Sequence, residues 1–303
     1  MEIYIAGGSG FLGSSLAQTL DSLGFCVTII TRKKTVINTS SNIKYITYND
    51  LNNLTPAANH VVVNLAGSNI GAGRWTKKQK TQILHSRIDT TQLLLKSFAK
   101  HSPRVWIQGS AVGYYGISQN ESFTEDSGKG EGFLATVTAE WESSVDINQL
   151  PNTRIVFIRT GVVLSSKGGM LRKLIPIFRY GMGAIFGDGL QPLSWISIED
   201  WVRAVVFLLE NPKSRGVYNL TAPETLTNKE FSHRLAATLR RKVFFTIPKG
   251  ILRLLLGEMA EEMLLNGQKV YPQRLLSENF HFKHPSPEKF FECYLLKELK
   301  KVS

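Results

Sequence analysis

Three glycines near the amino terminus have the spacing that brings a peptide backbone close to a phosphate group. Gly7, Gly10 and Gly13 follow a short apolar run and precede a segment with helical periodicity at 14–22. In a strand-turn-helix unit, glycines let the turn approach a diphosphate, and the amino end of the helix favours negative charge. A second apolar run at 25–30 completes a β-α-β unit, so the pattern predicts a dinucleotide site rather than a chance glycine turn.

The residues after the second apolar run indicate which dinucleotide is preferred. Thr31 and Arg32 are followed by Lys33 and Lys34, and positions 22–49 contain no acidic residue. An NAD site usually places an acid here for the ribose 2′-hydroxyl, whereas an NADP site offers positive charge to the 2′-phosphate. A charge-assisted hydrogen bond from Arg32 would strengthen binding about ten- to a hundredfold. The pattern predicts NADP(H), with a solvated basic loop as the alternative.

Further cofactor contacts are expected at the ends of other strands. Short side chains after a strand leave room for the adenosine and the diphosphate, and a valine pair after Gly161 is expected on the nicotinamide side. These predicted contacts are Phe11, Leu12, Leu65, Ala66, Gly67 and Val163.

The composition is that of an ordinary globular protein. The chain has 303 residues, of which 43% are hydrophobic and 20% charged, so one or two domains with substantial cores are expected. No apolar stretch approaches the roughly 20 residues that a membrane span needs, and the early strand leaves no room for a signal peptide. We therefore expect a cytoplasmic protein without a membrane partner.

The net charge of +12 raises the question of an acidic partner. Basic residues become frequent between 229 and 253, but apolar residues interrupt them at helical spacing. This pattern favours a solvated helix face over a nucleic-acid site. Two cysteines and six scattered histidines lack metal-ligand spacing, so no metal site is predicted.

Apolar runs suited to buried strands alternate with helical patterns through most of the chain. Beyond the first unit, the predicted strands are 43–47, 60–65, 104–109, 154–164 (broken at Gly161) and 217–220. The predicted helices are 76–99, 138–149, 198–210, 229–239 and 252–265. Such alternation predicts an α/β fold with a doubly wound parallel sheet of the Rossmann type.

The glycine-rich stretch after position 164 interrupts this alternation. We expect residues 1–165 and 196–221 to form the NADP-binding domain. Residues 166–195 and 222–303 are expected to form a smaller, mostly helical substrate lobe.

Several motifs occur in an order that resembles the extended short-chain dehydrogenases/reductases. They are GGSGFLG at 7–13, NLAG at 64–67, GSAVGYYG at 109–116, RTGVVL at 159–164 and SWISIEDW at 194–201. Four others resemble the atypical branch called epimerase family proteins: RWTKKQK at 74–80, SRIDTTQLL at 86–94, AEWE at 139–142 and GQKVYPQRLL at 267–276.

This resemblance implies a Rossmann fold, an architecture like that of nucleotide-sugar epimerases, and NADP binding. It also implies a carboxy-terminal domain of unknown function at about 247–295. By the same resemblance Arg87, in the Ser-Arg pair, reaches the nucleotide; a salt bridge on the helix surface is the alternative.

The chain departs from the catalytic pattern of the wider superfamily. The stretch 132–142, which corresponds to the Tyr-x-x-x-Lys segment, contains neither tyrosine nor lysine. The helper hydroxyl position falls on Ala111, with Ser110 one residue away. Tyr114 and Tyr115 are candidate acids or hydrogen-bond donors, provided that a cation lies nearby; packing, with the hydroxyl bonded to the backbone, is the alternative.

Other polar or aromatic residues near the predicted cleft are secondary candidates. They are Arg74, Glu140, Glu142, Gln191, Ser194, Trp195 and Asp200. We expect Asp200 to be a helix cap and Trp195 to be core.

Two functional hypotheses of different classes follow. The first is an NADP(H)-dependent oxidoreductase-like or epimerase-like enzyme with an unknown small-molecule substrate. The second is a catalytically silent NADP(H) sensor or scaffold, which the missing tyrosine and lysine favour. A nucleic-acid-binding regulator, the third possibility, rests on charge alone, and the oligomeric state stays open.

Overall fold

Strands and helices alternate along residues 1–32 and 42–297, the parts of the chain that the computed structural model describes. The strands are β1 (Glu2–Ala6), β2 (Cys26–Thr31), β3 (Lys44–Thr47), β4 (Val61–Asn64), β5 (Val105–Ala111), β6 (Ser122–Phe123), β7 (Arg154–Thr160), β8 (Val162–Leu164), β9 (Ala184–Phe186), β10 (Pro192–Leu193), β11 (Trp195–Ser197), β12 (Gly216–Leu220), β13 (Leu226–Thr227), β14 (Phe245–Ile247) and β15 (Lys269–Val270).

Nine α-helical segments, three 3₁₀ turns and two π-helical segments connect these strands within the described residues. The helices are α1 (Phe11–Ser22), α2 (Lys77–Phe98), α3 (Phe133–Ser143), α4 (Gly169–Arg179), α5 (Ile198–Glu210), α6 (Asn228–Thr238), α7 (Lys249–Leu256), α8 (Glu258–Ala260) and α9 (Gln273–Ser277). Tyr48–Asn53, Val112–Tyr115 and Ile147–Gln149 are 3₁₀ turns, and Glu261–Leu265 and Lys289–Leu295 are π-helical.

The central element is a seven-stranded parallel sheet with the order β12-β7-β5-β4-β1-β2-β3. The strands of this sheet are continuous apolar runs because both faces of the sheet are covered. In β4, for example, Val61 and Val63 face one core, and Val62 faces another. Helices α1 and α5 cover the first face, and α2 covers the second. This confirms the predicted Rossmann-type fold, and the strand order reverses beside β1, where ligands bind in such sheets.

A smaller core holds the carboxy-terminal lobe together. Helices α4 and α6 and the turn Lys289–Leu295 pack around Leu164 and Trp195. Leu275 and Phe280, however, pack into the core of the large sheet. The lobe is thus joined to the sheet by buried apolar contacts, and the proposed domain limits stay a prediction.

Two predicted helices have different bounds in the structure. The helix predicted at 138–149 spans Phe133–Ser143 in the structure. It begins earlier than predicted because the chain turns at Gly132, where φ is 108°. The helix predicted over 252–265 is interrupted at Gly257, where φ is 60°. Such positive φ values are accessible to glycine at little cost, and they end or redirect a helix.

Two sequence-based expectations remain, one on the basic residues after β2 and one on membrane spans. Lys33 and Lys34 lie outside the described residues. In the ranges that are described, the longest helices are too polar or too short for a bilayer crossing.

Candidate functional site

A cleft of about 460 Å³ runs along the carboxyl ends of the central strands. One end is formed by Phe11, Leu12 and Leu65, which follow β1 and β4. The other end is formed by residues 262–268 and 192–194 of the smaller lobe. The volume is in the range of small-molecule sites, and its place at the reversal of strand order is where a nucleotide is expected.

The turn between β1 and α1 requires glycine at three predicted positions. Gly7 has φ 78°, and a Cβ on it would lie 2.7 Å from the backbone of Leu65. A Cβ on Gly13 would lie 2.4 Å from the Gly7 carbonyl oxygen, which accepts a 3.0 Å hydrogen bond from the Gly10 N–H. The turn is therefore packed tightly against the neighbouring loop, and larger side chains would displace it.

The amino end of α1 lies beside this turn, and no side chain of the described residues caps it. Gly10 is the N-cap residue, and the first turn contains no acidic residue. The first backbone N–H groups of the helix are therefore available to an anion, and the helix dipole favours one there. Phe11 and Leu12, from the same turn, line the cleft.

The remaining predicted cofactor residues surround the same edge. Leu65, Val163 and Arg87 line the cleft, while Ala66 and Gly67 belong to the loop after β4. In that loop the Leu65 N–H donates to the Ala6 carbonyl oxygen at 2.9 Å. The structure thus places these residues around one continuous region.

Thr31 and Arg32 lie at the carboxyl end of β2, the strand next to β1. Thr31 is buried and its Oγ1 lies 3.5 Å from the Ile46 carbonyl oxygen. Arg32 is exposed. Arg32 is thus an exposed cation at the strand end where the sequence predicts the contact with a 2′-phosphate.

Arg87 carries a charge that no acid of the described residues compensates within ion-pair distance. Its guanidinium donates to the carbonyl oxygens of Ile83 at 2.8 Å and Ser68 at 3.3 Å. Burial lowers the pKa of Arg87 to about 10. The alternative of a helix-surface salt bridge is therefore wrong, and the partly buried cation favours an anionic ligand in the cleft.

Trp141 provides a second unsatisfied group in the cleft wall. Its indole Nε1 is buried and has no hydrogen-bond partner among the described residues. The Arg87 guanidinium lies 5.1 Å from the centre of the Trp141 ring. The glycine turn, the uncompensated arginine and this indole together fit a bound phosphate-containing cofactor.

A buried ionic network lies behind the cleft wall. The Ser110 hydroxyl donates to Glu142 Oε1 at 2.6 Å, and Arg159 Nε and Nη2 donate to the Glu142 carboxylate at 2.8 Å each. Arg159 Nη1 donates to the Tyr115 hydroxyl at 3.0 Å, and that hydroxyl donates to Asn219 Oδ1 at 2.7 Å. Five side chains from different elements are thus held in one geometry.

The network keeps its charges in place. Burial opposes the charge of Arg159, but hydrogen bonds and attraction from Glu142 outweigh it and raise the pKa of the guanidinium. Burial also raises the pKa of the Tyr115 hydroxyl, in spite of the neighbouring Arg159. Tyr115 is therefore a neutral hydrogen-bonding group at ordinary pH.

The predicted catalytic candidates do not occupy equivalent positions. Ser110 lines the cleft, whereas Tyr114 and Tyr115 do not. The Tyr114 ring stacks on Arg159, whose guanidinium carbon lies 3.3 Å from the ring centre. The cation that the tyrosines require is present, but both aromatic rings are part of the supporting network. The Tyr115 hydroxyl bonds side chains, not the backbone.

Helix α3 contributes two side chains to the cleft wall at a spacing of four residues. Leu134 and Thr138, four residues apart, both line the cleft. The Thr138 hydroxyl donates to the Leu134 carbonyl oxygen at 2.8 Å. The helix therefore presents an apolar group and an engaged hydroxyl at this spacing.

The smaller lobe caps the same helix. Glu262 accepts hydrogen bonds from the N–H groups of Phe133 and Leu134, both at 2.7 Å. A carboxylate at a helix amino end satisfies otherwise unpaired donors and interacts well with the dipole. This contact joins residues 129 positions apart and places Glu262 in the cleft wall.

The secondary candidates have varied roles. Ser194 lines the cleft, but Gln191 and Trp195 do not. Trp195 is core, as expected, and its Nε1 donates to the Glu224 carbonyl oxygen at 2.8 Å. Asp200 is not the cap of α5: Ser197 is, since its hydroxyl accepts from the Asp200 N–H at 3.0 Å.

Sequence reasoning missed Arg159, Asn219 and Glu262. The available signal for Arg159 was a charged residue that directly follows the apolar run 155–158 of a predicted strand. A buried charge needs a partner of opposite charge, and the acids of α3 are the candidates for that partner.

Comparisons with known proteins agree with this geometry. The model of the NAD dependent epimerase/dehydratase family matches residues 3–221, and a domain of unknown function, DUF1731, matches residues 247–292. An epimerase family protein of Mycobacterium bovis, Mb2239, is 38% identical over 288 residues, which cover 93% of each chain. The crystal structure of human epimerase family protein SDR39U1 (isoform 2) with NADPH has a TM-score of 0.89 at 33% identity and covers 100% of both chains.

A more distant structure shares the fold alone. UDP-glucose 4-epimerase of Thermus thermophilus, in complex with NAD, has a TM-score of 0.77 at 16% identity over the whole of both chains. The family model covers more than two thirds of the present sequence, and the carboxy-terminal match lies where the resemblance placed it. The chain therefore belongs to the NAD dependent epimerase/dehydratase family.

Proposed function

We propose that this protein is an NADP(H)-binding oxidoreductase of the atypical extended short-chain dehydrogenase/reductase type, which acts on a small molecule. The main support for this proposal is the uncompensated Arg87 guanidinium, which lies in a cleft bordered by the glycine turn at 7–13. The NADPH in the crystal of the human relative supports the choice of cofactor. Arg32 at the end of β2 supports a preference for the 2′-phosphate.

The cofactor and the protein would divide the work. Bound NADPH supplies a hydride from its nicotinamide ring. The β1–α1 turn and Arg87 bind phosphate charge, and Val163 and Leu65 shape the cleft wall. Glu142 holds the Ser110 hydroxyl in one orientation. Since Glu142 is paired with Arg159, Ser110 donates its proton to the carboxylate and offers oxygen lone pairs to the cleft.

A silent NADP(H) sensor or scaffold is the second candidate. The cleft-facing positions of α3 carry Leu134 and Thr138, and neither offers a free acid to a substrate carbonyl. The Ser110 hydroxyl donates its hydrogen bond to Glu142, so it does not offer one either. This arrangement favours a role in which the nucleotide is bound without turnover.

Calorimetric titration with NADPH, NADP⁺, NADH and NAD⁺, after removal of any nucleotide carried through purification, tests the cofactor. We expect the phosphorylated pair to bind about ten- to a hundredfold more tightly. Equal affinities would contradict the NADP preference, and no binding would contradict both candidates. Consumption of NADPH with a panel of carbonyl compounds, followed by absorbance, would then separate the oxidoreductase from the silent sensor.

A further inference from the structure

The half of the cleft farthest from β1 has few charges that could hold an anionic substrate. Within residues 1–32 and 42–297, Arg87 is the only cationic side chain that lines the cleft, and it lies beside Gly67 on the cofactor side. In the described part of the chain, two carboxylates line the opposite half, those of Glu131 and Glu262. A diphosphate in that half would meet like charges without a cation to balance them.

The hydrogen-bond donors of this half are already engaged. Ser194 donates to the Gln268 carbonyl oxygen at 2.7 Å, and Gln268 Nε2 donates to the Val112 carbonyl oxygen at 2.9 Å. Asn266 Nδ2 donates to the Glu261 carbonyl oxygen at 3.0 Å. These polar residues hold loops together, and they leave few donors for phosphate oxygens or for the hydroxyl groups of a sugar.

The remaining wall is apolar. Ile70, Ile117, Leu134, Leu193 and Met263 line it. They come from loops and helices of both lobes. Such a wall gains from burying hydrocarbon or aromatic surface.

The polar group at the centre of the cleft accepts hydrogen bonds. The Ser110 hydroxyl donates a hydrogen bond to Glu142 at 2.6 Å, and Arg159 makes a two-point contact with the same carboxylate. The Ser110 oxygen therefore suits a ligand hydroxyl that donates to it. This selects for a hydroxyl group on an otherwise apolar molecule.

From these observations we infer that the substrate half of the cleft takes a neutral, predominantly apolar alcohol or its carbonyl form, and excludes nucleoside-diphosphate sugars. The inference rests on the proposed function in that it assigns the cofactor to the half near Arg87. It gives the family's fold a substrate class that differs from the UDP-sugar of the distant epimerase.

The test uses Prodan, a neutral naphthyl ketone whose emission shifts to the blue in apolar surroundings. The full chain, saturated with NADP⁺, is titrated with Prodan and then challenged with the neutral alcohol 1-indanol or with UDP-glucose. We expect saturable binding that 1-indanol displaces and UDP-glucose does not. Displacement by UDP-glucose, no displacement by 1-indanol, or no saturable Prodan binding would overturn the inference.

Matched variants assign the signal to the cleft. Met263→Glu places a charge in the apolar wall, and Leu193→Glu does so from another element. Each is expected to weaken Prodan binding at least about tenfold. Leu254→Glu is the control, because Leu254 is 76% exposed on α7, outside the cleft. An unchanged affinity in both cleft variants, or a loss in the control alone, would overturn the inference.

The same titrations without nucleotide separate the two claims. If the chain binds Prodan in a way that depends on Met263 but does not bind NADP⁺, this result contradicts the proposed function. The inference of an apolar substrate half then stands. If the chain binds the nucleotide and UDP-glucose displaces Prodan, the proposed function stands and the inference of an apolar substrate half is contradicted.

Discussion

The Arg159 guanidinium forms a two-point ion pair with Glu142, in which Nε and Nη2 each lie 2.8 Å from a carboxylate oxygen. The side chains are only 4% and 13% exposed, so both charges are largely removed from water. Each charge therefore depends on the other for its compensation, and the pair fixes Ser110 on one side and Tyr115 on the other.

Replacing Glu142 by glutamine should destabilise the protein. Arg159 would keep its charge without a carboxylate, and loss of one partner of a buried pair costs about 3–5 kcal/mol. Urea unfolding measures the difference in the free energy of unfolding. Glu140→Gln, on the exposed side of the same helix, should change stability by less than about 0.5 kcal/mol. Equal effects of the two substitutions would contradict the role given to Glu142.

Replacing Arg87 by methionine should separate affinity from stability. The free energy of unfolding should change by at most about 1 kcal/mol, because the lost hydrogen bonds are offset by relief of a partly buried, uncompensated charge. NADPH affinity, measured by calorimetry, should fall about ten- to a hundredfold. Lys96→Met on the exposed face of α2 is the control and should leave affinity unchanged. Retained affinity in the Arg87 variant would show that Arg87 does not bind the nucleotide.

Arg32→Glu should weaken NADPH binding about ten- to a hundredfold and NADH binding much less, since only NADPH carries the 2′-phosphate. The ratio of the two dissociation constants is the measured quantity. Arg104→Glu, an exposed charge change at the amino end of β5, should leave this ratio as it is. Equal losses for both nucleotides would remove Arg32 as the phosphate ligand.

Gly13→Ala should impair both folding stability and nucleotide binding. The added methyl would lie 2.4 Å from the Gly7 carbonyl oxygen, and such overpacking costs about 1–3 kcal/mol. Gly250→Ala, where a Cβ has nothing within 4 Å, is the matched control and should be neutral or stabilise by up to about 1 kcal/mol. Thermal unfolding with and without NADPH reads out both effects. A Gly13 variant that binds NADPH normally would show that the turn tolerates expansion.

Asp200 predicts a stability difference that depends on pH. Burial opposes its charge, but hydrogen bonds from His284 and from the Lys283 N–H outweigh this and hold its pKa below 3.8. The stabilisation is complete above the unfolded pKa and is lost as pH falls through the folded pKa. Arg203 also pairs with this carboxylate, at 3.1 Å.

Asp200→Asn should therefore lower the free energy of unfolding by about 1–3 kcal/mol near neutral pH. The deficit relative to the natural chain should shrink as the pH falls from about 5 to about 3. Glu210→Gln, exposed on the same helix, serves as control. A deficit that stays constant over this range would rule out ionisation of Asp200 as its source.

The parts of the fold that depend on short-range patterns could be predicted from the sequence. Continuous apolar runs such as 61–64 predict strands covered on both faces, and the glycine spacing at 7–13 predicts a strand-turn-helix unit. Both features are determined by residues a few positions apart. The sheet and the edge that holds the cleft follow from them.

The supporting network could not be predicted, because its members are distant in the chain. Tyr115 and Asn219 are 104 residues apart, and Ser110 and Glu142 are 32 apart. Their pairing depends on the register in which β5 and β7 lie side by side and on how α3 packs against them. The start of α3 at Phe133 likewise depends on Glu262, which no local pattern reveals.

The contact of Glu262 with the amino end of α3 also limits how this family can exchange its parts. The carboxylate comes from the segment matched as DUF1731, whereas the helix belongs to the segment matched as epimerase. A chimera that takes its carboxy-terminal third from a relative without an acid at this position would leave two helix donors unpaired in the cleft wall. Selection on the shape of the cleft should thus act on both segments together, and the two are expected to be inherited as one unit.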